Sequence, residues 1–89
     1  MKTIHKYELS LADEQIINMP IEAEILTVQL QFNEPKIWAL VDTELMEEPV
    51  KFRIFGTGHT IEDGFTGKYI GTYQLYDGIV VFHLFKCKI

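Results

Sequence analysis

At 89 residues the chain makes one domain, small enough that its core is marginal unless a partner covers further surface. A hydrophobic share of 47% and an aromatic share of 12% exclude disorder. A net charge of −5, with Arg53 as the single arginine, excludes broad binding to a nucleic-acid backbone, which needs clustered cations.

From the start, Met1–Tyr7 has no apolar signal-peptide core, and no apolar run approaches membrane-spanning length, so a soluble protein without membrane contact is expected. Lys2–Leu9 and Gln15–Met19 read as two short strands paired around Leu11–Glu14. In Glu24–Phe32, Leu26, Val28, Leu30 and Phe32 alternate with Thr27, Gln29 and Gln31, the period of a half-buried strand. Asn33-Glu34-Pro35-Lys36 supplies turn residues, with Pro35 fixing φ. Ile37–Val41 is apolar on both faces and reads as a central strand, forming a hairpin with the run before it. Asp42–Glu48 is either one helical turn capped by Asp42 or Thr43, or an acidic loop. Pro20 and Pro49 mark breaks.

Val50–Phe55 sets Val50, Phe52 and Ile54 against Lys51 and Arg53, one face in and one out. Lys68–Tyr76 and Ile79–Phe85 flank Asp77-Gly78, a strong hairpin signal. No segment sustains a helical period. The predicted fold is all-β: a single small antiparallel sheet of six to seven short strands, curled into a sandwich or partial barrel. Ile37–Val41 and Ile79–Phe85 are apolar on both faces, yet no amphipathic helix is available to cover a second face. Either the sheet folds over on itself or a second copy covers it in a homo-oligomer with an isologous interface.

The chain departs from generic β construction at Phe55-Gly56-Thr57-Gly58-His59-Thr60, which opens a connection running to Gly67. Long connections in small domains are disproportionately functional. The backbone amides and hydroxyls of Gly56, Thr57, Gly58 and Thr60 suit an anion-binding nest, with His59 as a donor. The stretch matches neither the P-loop nor the dinucleotide fingerprint. Arg53, on the outward face of the preceding strand, is the one donor able to clamp a phosphate or carboxylate bidentately, and it pairs with His59 in this reading.

Against that ligand-binding set stands a protein-interface set. It comprises the acidic residues Glu44, Glu47 and Glu48, the aromatic residues Trp38 and Phe85, and His83 among apolar strand neighbours. His5, His59, His83 and Cys87 lack the close spacing of a metal site; His83 and Cys87 lie roughly 13 Å apart along a strand. No metal and no cofactor are expected. Cys87, the only cysteine, forms no intramolecular disulfide and fits a reducing compartment. Scattered histidines without a nucleophile elbow give no catalytic constellation, so no enzyme is expected.

Lys6–Leu9, Asp13–Gln15, Ile25–Gln29 and Trp38–Asp42 resemble, in order, a family of short bacteriophage and prophage proteins without an established activity. The resemblance continues through Phe55–His59, Tyr69–Gln74 and Val81–Phe85 and covers nearly the whole chain. It implies expression in a host bacterial cytoplasm and carries no catalytic residues across. In that setting the expected function is a non-catalytic accessory protein that counters host defence by sequestering a small anionic or nucleotide ligand. The alternatives are an inhibitor of a host protein or a minor component of virion assembly.

Overall fold

A computed structural model describes Met1–Lys88. It contains seven antiparallel strands: β1 (Lys2–Glu8), β2 (Glu14–Pro20), β3 (Glu24–Gln31), β4 (Glu34–Asp42), β5 (Glu47–Gly56), β6 (Lys68–Leu75) and β7 (Val80–Cys87). They form two sheets, one of three strands in the order β1-β4-β3 and one of four in the order β2-β5-β7-β6. Among the described residues there is no helix and no closed barrel. The all-β expectation holds, as does the central position of Ile37–Val41 in β4, and β7, which overlaps Ile79–Phe85, is central in the other sheet.

The single sheet does not hold, because the first two strands part company. β1 pairs with β4 and β2 with β5, rather than with each other. The connection between them is tied by one side chain. Gln15 Oε1 accepts from Ser10 N at 2.9 Å, and Gln15 Nε2 donates to the carbonyls of Ser10 and Ala12 at 3.1 and 2.9 Å. Leu9, buried beside it, belongs to the shared core.

The turns also differ in detail. The β3–β4 hairpin closes through Phe32-Asn33, both with positive φ (53° and 62°), and Pro35 lies inside β4. Two positive-φ residues match the right-handed strand twist, as a primed two-residue turn requires. Pro35 lies just past the last β1–β4 pair, opposite Leu9, whose N donates to its carbonyl at 3.3 Å, so its missing N–H gives up only one bond at the end of the ladder. Pro49 does not break the chain either. It sits within β5, whose even-numbered residues bond β2, as in Ile54 N to Asp13 O at 2.8 Å. Its missing N–H therefore faces away from β2, beyond the Lys51–Cys87 pair. Thr43–Met46 is a turn, while Glu47 and Glu48 belong to β5. The β6–β7 hairpin turns at Tyr76–Ile79 around Asp77-Gly78, as the sequence indicates.

Both sheets contribute to one core. Val28, Ile37, Ala39 and Val41 come from the three-stranded sheet; Met19, Val50, Phe52, Ile54, Tyr73, Leu75 and Leu84 come from the other. The two sheets meet most extensively where β3 lies against β6. Gly71 permits it: a Cβ there would lie 2.8 Å from Val28 Cγ1. Gly71→Ala is therefore expected to cost about 1–3 kcal/mol through overpacking. Combination with Val28→Ala should recover part of that loss in urea unfolding; a strictly additive pair would refute the contact.

Candidate binding site

β5 and β7 lie side by side and alternate their side chains between the core and the outer face of the four-stranded sheet. Arg53 opposes Phe85 and Phe55 opposes His83 on that outer face. The loop after Gly56 folds back over it. Phe65 packs edge-on to Phe55 and Phe85 with ring centroids at 5.2 and 5.4 Å, and Phe55 meets Phe85 at 5.7 Å. Such pairs contribute about 0.5–1.5 kcal/mol each beyond their burial. The connection is an anchored flap over a small aromatic cluster.

Arg53 completes the anchor. Its guanidinium lies 4.5 Å from the Phe55 ring centroid and 5.4 Å from that of Phe65. It donates to both Glu62 oxygens at 2.8 and 3.2 Å, and Glu14 approaches its Nε at 3.6 Å. The Glu62 hydrogen bond raises the Arg53 pKa, and Arg53 in turn lowers that of Glu62. The one arginine is thus neutralised by its own loop rather than left open to a ligand. Because the folded pKa of Glu62 is depressed, the contact is complete above the ordinary carboxylate range and is lost as pH falls through the depressed value. Acidification is expected to raise proteolytic cleavage within residues 57–67 in the wild type. Glu62→Gln should already be cleaved faster at neutral pH; equal cleavage of the two proteins at all pH values would refute the tie.

The remaining loop residues find local partners. Gly56 leaves the space occupied by the His59 ring, whose Cε1 would lie 2.8 Å from an added Cβ. His59 N donates to Gly56 O at 3.1 Å, and Thr57 N to Val81 O at 3.1 Å. Two amides of the predicted nest are therefore already bonded within the chain. Gly58 holds φ at 85°, and Thr60 is exposed.

Thr57 connects to His83, which sequence analysis assigned to the other set. Thr57 Oγ1 lies 2.7 Å from His83 Nε2, Thr72 Oγ1 lies 2.9 Å from His83 Nδ1, and Tyr69 Oη lies 2.6 Å from Thr72 Oγ1. The result is a chain of four hydrogen-bonding side chains running from the glycine loop across β7 to β6. No carboxylate takes part among the described residues. Thr72 and Tyr69 escape sequence reasoning because a bulge between Tyr69 and Gly71 shifts the β6 register.

The other predicted interface residues do not converge. Trp38 is half-buried on the three-stranded sheet, with Lys6 Nζ 5.8 Å from its ring centroid. Glu44 accepts from the N-terminal amine at 2.9 Å beside Asp42 at 3.0 Å, while Glu47 and Glu48 lie in β5. The acidic run is therefore not one patch. Among the described residues, no group of three or more His, Cys, Asp or Glu could hold a metal ion, and no helix is long and apolar enough to cross a membrane.

Two of the clefts in the surface lie at the β3–β4 and β6–β7 turns and between β3 and β6. The larger, about 720 Å³, lies at the turn end and is lined by Leu11, Leu30, Pro35, Leu75 and Tyr76 with Asn33, Gln74 and Asp77. The smaller, about 340 Å³, separates Glu24–Leu26 from Lys68, Tyr69, Ile70 and Lys86. In it Lys68 and Lys86 are direct cross-strand partners. Among the described residues neither has an acidic partner within 4 Å. Tyr69 belongs both to this cleft and to the hydrogen-bond chain.

These features define a class: a small all-β protein of two antiparallel sheets, with an anchored flap and open clefts. The chain belongs to the family described as a domain of unknown function, DUF7352, whose model matches residues 1–88. Comparison with curated proteins and with solved structures gave no match.

Proposed function

We propose that this protein is a non-catalytic binding protein that sequesters a small anionic ligand, with a nucleotide as the chemical class. The Lys68–Lys86 pair carries the reading. Like charges directly opposite across antiparallel strands destabilise a sheet by a few tenths to about 1 kcal/mol, and here, among the described residues, no acid within 4 Å offsets them. A bound phosphate removes that repulsion, while Ile25, Leu26 and Ile70 supply apolar surface for a base. Glu24, also at the cleft, repels additional negative charge and favours a singly phosphorylated ligand. The volume of about 340 Å³ falls at the lower end of the range for small-molecule sites.

The anion donors are thus Lys68 and Lys86, in place of the Arg53–His59 pair expected from sequence, because Glu62 already neutralises Arg53. In this reading the two sheets close over one another as a sandwich, and the cleft is the gap between them on the β3–β6 side. The setting we propose, phage infection in a bacterial cytoplasm, rests on sequence resemblance.

The test is native mass spectrometry of the protein purified from phage-infected bacteria, beside the Lys68→Ala/Lys86→Ala variant. The wild type should carry a phosphate-containing adduct that is released on unfolding, and the double variant should not. A wild type without an adduct, or one equally retained by the variant, would overturn the reading.

A further inference from the structure

Of the two exposed strand edges on the β1–β2 side, β2 ends in a proline, whereas β1 carries no proline and no bulge. The outward groups of β1 follow from hydrogen-bond parity. Thr43 N bonds Met1 O at 3.0 Å and Leu9 N bonds Pro35 O at 3.3 Å, within the register that pairs Lys2 with Asp42 and Glu8 with Lys36. Odd-numbered residues of β1 therefore bond β4. The N–H and C=O groups of Lys2, Ile4, Lys6 and Glu8 point away from it, along an open edge.

We propose that this edge pairs with the same edge of a second copy, antiparallel and with the twofold axis at His5. Only even-numbered residues can exchange hydrogen bonds there, so few registers are available. Centring on His5 sets Lys2 against Glu8 of the second copy twice, and Ile4 against Lys6 twice, and it pairs the whole seven-residue strand. Centring on Ile4 places Lys2 against Lys6; centring on Lys6 places that lysine against itself. Both alternatives shorten the ladder and juxtapose like charges, so charge complementarity selects the first.

Side-chain exposure agrees with this choice. The Glu8 carboxylate is 85% exposed and uses only Oε1 on Lys36, at 3.1 Å, leaving its second oxygen for Lys2 of the other copy. Thr3 and His5 belong to the face of the sheet that carries Tyr7, yet both are exposed, so no described residue covers them. Ile4 is 57% exposed beside Leu40 on the opposite face. Pairing joins two three-stranded sheets into one of six strands. The interface is independent of the lysine cleft.

The test combines sedimentation with directed cross-linking. The wild type should sediment as a dimer at micromolar concentration. Ile4→Pro, which removes an outward N–H and no bond to β4, should be monomeric with an unchanged circular dichroism spectrum. Lys2→Glu, which opposes Glu8 with a like charge twice, should weaken the dimer about tenfold or more. In a Cys87→Ser background, His5→Cys should oxidise to a covalent dimer, because non-hydrogen-bonded antiparallel partners bring their side chains close, and Ile4→Cys should not. A monomeric wild type, a dimer undisturbed by Ile4→Pro and Lys2→Glu, or preferential cross-linking through position 4 would each overturn the proposal.

Discussion

Phe52→Ala is expected to lower the unfolding free energy by about 3–5 kcal/mol, the largest loss from any single truncation in this chain. Phe52 is completely buried near the middle of β5, the strand that pairs with both β2 and β7. It therefore touches the shared core from a strand held on both sides by backbone ladders, as β4 and β7 also are, where neighbours cannot readily collapse into a void. A domain of this size has roughly 5–15 kcal/mol in total, so the variant should populate unfolded chain measurably at room temperature. Urea unfolding monitored by Trp38 fluorescence checks this. A loss below about 1.5 kcal/mol would mean that the core relaxes around the site and that the two sheets are not held by it.

The second large effect has the opposite sign. Tyr73→Phe is expected to stabilise the protein by about 1–2 kcal/mol. Tyr73 lies on the core side of β6, 4% exposed, with its ring 5.8 Å from that of Phe82. Its hydroxyl has no hydrogen-bond partner among the described residues. Phenylalanine keeps the packing and removes the stranded polar group. Burial pushes the Tyr73 pKa up from 10.0 to about 12.

A folded pKa raised above the unfolded one means that stability is intact below pH 10 and is lost as pH rises toward 12. The advantage of Tyr73→Phe over wild type should therefore widen across that interval. A variant less stable than wild type at pH 7 would show that the hydroxyl has a partner, and the prediction would fail.

Much of the strand inventory was legible in the residues. Alternation located β3 and most of β5, the doubly apolar runs located the central β4 and β7, and Asp77-Gly78 located the β6–β7 turn. Local chemistry misled where tertiary pairing overrode it. Pro35 and Pro49 read as punctuation, but Pro35 sits just past the last β1–β4 pair and Pro49 turns its nitrogen away from β2, beyond the last described β5–β7 pair, where a proline costs little. Arg53 was correctly placed on the outward face. Its pairing with Glu62, nine residues on, depends on the loop folding back over the sheet, which no short-range pattern encodes.

By itself the sequence determined the secondary-structure class, because a period of two along a strand is a local property of alternating side chains. It also set the net charge at −5, and it singled out the glycine loop as the irregular segment. Only the tertiary structure decided that the strands divide between two sheets and that His83 joins Thr57 and Thr72. It alone also placed the paired Lys68 and Lys86 on one side of a cleft facing Glu24–Leu26. The physical reason is register. Cross-strand partners are set by which edges meet and by single-residue bulges such as that between Tyr69 and Gly71, and these are long-range outcomes of burying one core.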